Sequence, residues 1–401
     1  MTNSENLLLT FVRRPVTMTR MRYVVTGGTG FIGRRLIAEI LSQPGTEAVH
    51  VLVRAESLGR FDRLAVGWAD ERVQPLVGDL TAPDLGLSDA VVEGLGAIDH
   101  VVHCAAVYDI TAAEDRQRIA NVEGTRAVIG LARRLDATLH HVSSIAVAGT
   151  HSGVFTEEDF DLGQDLPTPY HRTKFDAERL VRTADGLRYR IYRPAVVVGD
   201  SRTGEMDKVD GPYYFFGVLS ALARLPRFTP VMLPDSGRTN IVPVDYVVSA
   251  MTTLMHLDGR DGQTFHLTAP TTTGLREIYR GIASAAGLPP LVGSLPRAAA
   301  APLLQVGGRA KILRNMAATQ LGVPAEILDV VDVMPTFGSE RTAEALRGSG
   351  IAVPEFGSYA GTLWRYWARH LDPGRARRDD PAGPLVGKHV IITGASSGIG
   401  R

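Results

Sequence analysis

The chain has 401 residues, with 43 basic and 43 acidic side chains and a formal net charge of zero. This balance excludes the strongly basic surface typical of nucleic-acid-binding proteins, and the single cysteine excludes a disulfide framework. No apolar run reaches the roughly 18 residues of a membrane-spanning helix, so we expect a cytoplasmic protein that contacts a membrane at most peripherally.

Short apolar segments alternate with helical patterns from residue 21 onward. The predicted strands cover residues 22–26, 48–54, 73–78, 98–104, 138–143, 189–192 and 264–267. Such alternation, with runs such as AVHVLV that are apolar throughout, is typical of parallel strands buried on both faces. The sequence therefore predicts an α/β fold: a doubly wound, mostly parallel Rossmann sheet, followed by a smaller, mainly helical C-terminal cap.

The first predicted strand runs into the glycine-rich stretch VVTGGTGFIG, which opens a predicted helix over residues 30–43. Glycine allows positive φ and a close approach of the backbone to a pyrophosphate, which the helix N-terminus attracts. The strand–loop–helix context favours a dinucleotide site over a glycine turn without a ligand. The residues that this loop predicts to bind the cofactor are Gly27, Thr29, Gly30, Phe31, Ile32, Gly33 and Arg34.

The residue at the end of the second strand indicates which dinucleotide to expect. A carboxylate there would hold the ribose 2′-hydroxyl of NAD, whereas this chain has Arg54, whose guanidinium can grip a 2′-phosphate. Arg34 could assist. Glu56, an acidic residue two positions later, would favour NAD instead. The structural alternative is that Arg54 is only a solvated residue at the end of the strand. The charge argument predicts NADPH as the cofactor.

The chemistry is predicted by the stretch TPYHRTK. Tyr170 and Lys174 are four residues apart, which places both on one face of a helix that Thr168 can cap and Pro169 can begin. The chain has only four lysines, so lysine at 174 suggests a need for a compact ammonium. A nearby cation favours ionisation of a phenol, and Tyr170 could then act as a general acid toward a carbonyl oxygen.

Ser144 ends the fifth predicted strand and could hydrogen-bond the same carbonyl oxygen. Ser143 is the competing candidate, but strand alternation points the two side chains in opposite directions, so we expect Ser143 to support the sheet end. Cys104 is a rival nucleophile, although no neighbouring charge predicts a lowered pKa for its thiol. No spacing of histidines, cysteines and carboxylates predicts a metal site.

Together these segments resemble the extended short-chain dehydrogenase/reductase family, in the motifs TGGTGFIG, GDLT, HCAA, NVEGT, SSI, YHRTK and RPAVVVG. The catalytic residues that the resemblance implies are Ser144, Tyr170 and Lys174, with Asn121 as the family's further asparagine. The cofactor contacts that it adds are Asp79 and Leu80 near the adenine, Ala105 and Pro194 near the nicotinamide, and Tyr170 and Lys174 themselves.

Further segments, among them AAVYDIT, TGEMDKVDGPYYFF and NIVPVDYVV, look like the first domain of bacterial two-domain fatty acyl-CoA reductases. This resemblance implies reduction by NADPH of a long-chain fatty acyl-CoA, or of an acyl carrier thioester, to a fatty aldehyde. Whether reduction continues to the alcohol stays open. The alternatives are another extended short-chain dehydrogenase acting on a ketone, steroid or sugar nucleotide, and a non-catalytic NADP-sensing module.

The resulting domain prediction has five parts. Residues 1–20 are a flexible extension, 21–270 the NADP-binding Rossmann domain, 271–371 the mainly helical substrate-binding region and 372–384 a linker, and 385–401 are the truncated start of a second reductase domain. In the helical region, interleaved cations and apolar residues predict contact with CoA phosphates, the acyl tail and a membrane surface; a solvated amphipathic helix is the alternative. Those cations are Arg297, Arg309, Lys311 and Arg314.

Overall fold

The structure is a computed structural model, and it describes residues 20–107, 114–207, 213–234, 238–295 and 335–372. The predicted basic segment 297–314 and the predicted second-domain start 385–401 lie outside these ranges. So do the N-terminal extension and the linker, except for residues 20 and 372.

Seven parallel strands form the central sheet. They are β1 (Met21–Thr26), β2 (Thr46–Val53), β3 (Val73–Val77), β4 (His100–His103), β5 (Thr138–Val142), β7 (Tyr189–Pro194) and β11 (Thr264–Leu267). The strand order is β11-β7-β5-β4-β1-β2-β3, and every neighbouring pair is parallel. These are the seven strands that the sequence predicts, and the sheet confirms the doubly wound α/β fold.

Within the described ranges, six further strands are short and pair two by two. They are β6 (Val154–Phe155) with β13 (Thr336–Phe337), β8 (Val196–Val198) with β10 (Ile241–Pro243), and β9 (Val231–Pro234) with β12 (Leu291–Leu295). The β6–β13 pair joins the C-terminal residues 336 and 337 to the segment that follows β5.

Helices cover both faces of the sheet. They are α1 (Phe31–Leu41), α2 (Leu58–Trp68), α3 (Asp89–Gly94), α4 (Glu114–Arg118), α5 (Gly124–Arg134), α6 (Pro169–Arg182), α7 (Tyr214–Leu222), α8 (Val244–Met255), α9 (Leu275–Ala286), α10 (Glu340–Ala345) and α11 (Phe356–His370). A π-helical segment, Ile119–Glu123, joins α4 to α5. Helical spacing places Leu36, Ile37 and Ile40 of α1 on one buried face, in one core with Met251 of α8. Helices α5 and α6 pack on the opposite face.

The C-terminal helices have a core of their own. Phe216 of α7, Tyr279 of α9 and Trp367 of α11 are buried together, which confirms a helical region beside the sheet. Tyr213 and Phe216 belong to a run of aromatic residues that could line an acyl chain, but both are buried in this cluster and are packing residues.

Removal of the Trp367 side chain tests this second core. Trp367 is 1% exposed, so Trp367→Ala should lower the free energy of unfolding by about 3–5 kcal/mol. Phe228→Ala is the matched control, because Phe228 is 85% exposed and its loss should cost within about 0.5 kcal/mol. Urea unfolding followed by circular dichroism measures both. Equal losses would show that α11 does not carry a buried core.

Candidate active site

The predicted site residues come from elements that end at one edge of the sheet. In a parallel sheet the carboxyl ends of all strands share an edge, and ligands bind in the crevice outside it. The glycine loop follows β1, Ala105 follows β4, Ser144 follows β5 and Pro194 ends β7. The topology therefore brings these predicted residues together at this edge.

The glycine loop is shaped as a cradle for phosphate. Gly27 has φ of +70°, and a Cβ there would lie 2.6 Å from the backbone nitrogen of Ala105. A Cβ on Gly33 would lie 2.3 Å from the carbonyl oxygen of Gly27. The backbone N–H of Gly30 donates to that same carbonyl at 2.9 Å, and α1 begins at the next residue, Phe31. The loop therefore fits a dinucleotide pyrophosphate against the helix N-terminus.

The loops beside this cradle are held by local hydrogen bonds. The backbone N–H of Ala105 donates to the hydroxyl of Thr26 at 3.3 Å. The carboxylate of Asp79 accepts from the backbone N–H and the hydroxyl of Thr81, each at 2.8 Å, and these bonds lower the pKa of Asp79. Leu80 packs where Gly124 leaves no side chain. These contacts fix the positions predicted to lie by the adenine and the nicotinamide.

The structure gives the two predicted phosphate cations different surroundings. Arg54 is exposed and pairs with Glu56 at 3.1 Å, so its guanidinium stays accessible. Arg34 instead places one terminal nitrogen 2.6 Å from each of two carboxylates, those of Glu205 and Asp207. A 2′-phosphate would have to displace these ion pairs to recruit Arg34, so the expected assistance from Arg34 is not supported by its contacts.

Sequence reasoning missed a third cation near the loop. Arg60 of α2 donates from Nη2 to the carbonyl oxygen of Thr29 at 3.0 Å. The signal was present in the sequence, because Arg60 comes six residues after Arg54, on the helix that must pack beside the loop.

Helix α6 presents the predicted pair. The hydroxyl of Thr168 accepts from the backbone N–H of His171 at 3.4 Å and Pro169 begins the helix, which confirms the predicted cap. Lys174 lies one turn after Tyr170, is 4% exposed and donates from Nζ to the carbonyl oxygen of Val142 at 2.7 Å. Burial lowers the pKa of Lys174 to about 8, partly opposed by the negative charge of Glu178.

The two serines have separate partners. Ser144 Oγ caps a short 3₁₀ turn by accepting from the backbone N–H of Ala146 at 3.1 Å. Ser143 is buried and donates to the carboxylate of Glu178 at 2.6 Å. Ser143 is therefore committed to the protein interior, whereas Ser144 bonds only to the turn that follows β5 in the contacts described.

Asn121 lies in the π-helical segment and links two parts of the site. Its side-chain oxygen accepts from the backbone N–H of Val107 at 2.7 Å, and its amide nitrogen donates to the carbonyl of Val107 and to the hydroxyl of Thr173, both at 3.2 Å. Asn121 thus fastens the segment after β4 to α6 beside Lys174.

The remaining titratable groups around Lys174 are uncharged near neutral pH. Burial lowers the pKa of His103 to about 3 and that of His141 well below its usual value, and raises the pKa of the Cys104 thiol to about 12. A protonated thiol is a poor nucleophile. Within the described ranges, no group of three or more histidine, cysteine or carboxylate side chains could hold a metal ion.

A family model described as male sterility protein, an NAD-binding family, matches residues 25–251, which is more than half of the chain. The chain belongs to this family. The nonribosomal peptide synthetase asaC of Aspergillus flavus is 31% identical over 271 residues, which cover 62% of this chain and 26% of that protein. The chain therefore spans about a quarter of this relative's length.

Solved structures show the same architecture. The terminal R domain from the myxalamid PKS-NRPS biosynthetic pathway has 27% identity and a TM-score of 0.72, covering 89% of this chain and 93% of that one. A thiolation-reductase di-domain from an archaeal nonribosomal peptide synthetase has 19% identity and a TM-score of 0.65, covering 88% and 76%. The second likeness shows the fold alone. The relatives named here are a peptide synthetase and a terminal R domain of a PKS-NRPS pathway, and neither is named as a fatty acyl-CoA reductase, the class that the sequence resembles.

In the part of the chain that the structure covers, no helix is both long and apolar enough to cross a membrane.

The cradle predicts the effect of a single methyl group. Gly33→Ala should weaken binding of the nicotinamide dinucleotide, NADPH or NADH, by tenfold or more, on the order of 1.4 kcal/mol, because the new Cβ would collide with the carbonyl of Gly27. Gly67→Ala is the control, since nothing lies within 4 Å of a Cβ at that position of α2. Fluorescence titration with NADPH measures both affinities, and unchanged binding by Gly33→Ala would remove the loop from the cofactor site.

Proposed function

We propose that this chain is an NADPH-dependent reductase of acyl thioesters that releases an aldehyde and a free thiol. The observation that carries the proposal is the position of the buried Lys174. Its ammonium donates to the carbonyl oxygen of Val142, two residues before Ser144, and Lys174 follows Tyr170 by one turn of α6. NADPH, when bound in the glycine cradle, supplies the hydride. The chain's own residues supply the acid and the hydrogen bonds.

Each residue of the site has a defined role in this proposal. The Ser144 hydroxyl donates a hydrogen bond to the thioester oxygen as negative charge develops there, and the Tyr170 phenol donates its proton to that oxygen. Lys174 keeps the phenol acidic through its positive charge. The tetrahedral product then expels the thiol. Asn121 keeps the segment after β4 in register with α6.

We further propose that the acyl group arrives as a fatty thioester of a carrier domain or of CoA. The terminal R domain and the thiolation-reductase di-domain support a carrier, because their names place a reductase at the end of a synthetase and beside a thiolation domain. The long-chain acyl-CoA that the sequence resemblance implies remains the competing donor. A sugar-nucleotide epimerase is less well supported, because such enzymes keep NAD bound and Arg54 favours a 2′-phosphate.

A donor series tests the reaction and the donor together. NADPH oxidation should be measured with an acyl group on a phosphopantetheinylated carrier domain, on CoA and on N-acetylcysteamine, with the same chain length throughout. Tyr170→Phe should lower kcat with every donor by about 10²–10⁴, the usual worth of a general acid. Tyr366→Phe, on α11, is the matched control and should keep the parental rate. Parental NADPH oxidation by Tyr170→Phe would exclude the mechanism.

Cofactor choice gives a second prediction. Arg54→Ala should raise KM for NADPH by about tenfold or more and leave KM for NADH within about twofold, because a charged hydrogen bond is worth about 1.5–3 kcal/mol. Arg63→Ala, which removes an exposed arginine from α2, is the control and should change neither. Equal changes in both KM values would remove the 2′-phosphate role of Arg54.

A further inference from the structure

A carboxylate lies behind the proposed site, one helical turn beyond Lys174 on α6. Glu178 and Arg193 of β7 are both fully buried, with 0% exposure. Arg193 donates from Nη2 at 2.6 Å and from Nε at 3.1 and 3.2 Å, reaching both carboxylate oxygens. Arg182, from the end of α6, adds a third nitrogen at 2.7 Å. Such a pair is costly to desolvate and stays buried only when its hydrogen bonds are satisfied.

Glu178 joins three elements that carry the proposed site. Its second oxygen accepts the hydroxyl of Ser143, which immediately precedes Ser144 at the end of β5. Arg193 immediately precedes Pro194 at the end of β7. One carboxylate therefore fixes the ends of β5 and β7 relative to the helix face that bears Tyr170 and Lys174.

Glu178 also dominates the charge around Lys174. The titratable groups that interact with this ammonium are Cys104 after β4, His103 of β4, His141 of β5, and Glu178 on α6 itself. The two histidines and the thiol are uncharged near neutral pH. Burial alone would raise the pKa of Glu178, but the charge and hydrogen bonds of Arg193, with Arg182 and Ser143, lower it to about 2. Among these described groups, Glu178 is thus the negative charge that opposes the desolvation of Lys174.

We propose that Glu178 is a positioning residue of this site: it sets the place of Ser144 through Ser143 and supplies the counter-charge that keeps Lys174 an ammonium. Arg193 and Arg182 orient its carboxylate. This inference rests on the proposed function for its catalytic meaning, while its electrostatic half concerns the folded protein alone.

A titration of Lys174 tests the electrostatic half without any substrate. Protein labelled with ¹³Cε-lysine has four lysine signals to follow, and Lys174→Met identifies the one of interest. We expect the midpoint near pH 8 to fall by about one unit or more in Glu178→Gln, because a close opposite charge is lost. Arg182→Gln removes a cation from the same carboxylate and should move the midpoint upward. An unchanged midpoint in both variants would overturn the proposal.

Glu178→Gln and Arg182→Gln should also shift the dependence of kcat/KM on pH. With a thioester that the parent reduces, kcat/KM falls as the pH rises through the pKa of Lys174, because the ammonium loses its proton. That alkaline limb should move to lower pH in Glu178→Gln and to higher pH in Arg182→Gln. A merely structural role would lower the rate and leave the limb in place. Failure of the parent with every thioester would instead reject the proposed function and leave the titration result standing.

Ser143→Ala tests whether Glu178 positions Ser144, and it still gives a result if Glu178→Gln does not fold. It keeps every charge and removes only the hydrogen bond from Ser143 to Glu178. We expect kcat to fall about tenfold, with the alkaline limb and KM for NADPH unchanged, because Ser144 loses its support while Lys174 keeps its counter-charge. Parental kcat in Ser143→Ala would show that Glu178 does not act on Ser144.

Discussion

The site depends on one buried charge, the ammonium of Lys174. At 4% exposure it has lost most of its hydration, and the protein replaces water with the carbonyl of Val142 and the nearby carboxylate of Glu178. The carbonyl of Val142 is available only when α6 is docked on the sheet beside the end of β5, and Glu178 gains its contact with Arg193 of β7 only in that docked position. The position of Lys174 is therefore a property of the whole α/β sandwich, and a local segment of helix could not provide it.

The same requirement explains why Glu178 and Asn121 each have several hydrogen-bond partners. Glu178 accepts from Ser143, Arg182 and Arg193, and Asn121 satisfies both the carbonyl and the N–H of Val107. Ser143 of the β5 end and Arg193 of β7 are thereby joined to α6, and Val107 is joined to Asn121, so loss of one partner leaves another buried group unsatisfied. The resulting rigidity is what a catalytic group needs when a small displacement costs much of its rate.

Patterns within single segments of the sequence predicted the strands of the sheet and several features of the candidate site. Every strand of the central sheet follows from its apolar run, and the cap on α6 follows from Thr168 and Pro169. The separation of Ser143 from Ser144 follows from strand alternation. Contacts between distant segments could not be predicted: the carboxylates that bind Arg34 lie 171 and 173 residues away along the chain. The contact of Arg60 with Thr29 was missed although Arg60 lies only six residues after Arg54. The sequence also could not decide whether the aromatic run beginning at Tyr213 packs in a core or lines an acyl-chain site, since apolar side chains are suited to both.

The π-helical segment Ile119–Glu123 makes the orientation of Asn121 sensitive to the number of residues in this turn. A π turn holds one more residue than an α turn, closed here by the N–H of Gly124 on the carbonyl of Ile119. Each α-helical residue rotates the chain by about 100°. A single deletion here would restore regular winding but swing everything before it by that angle, turning Asn121 away from Thr173. The extra residue of the π turn thus sets the angle at which Asn121 meets Thr173 of α6.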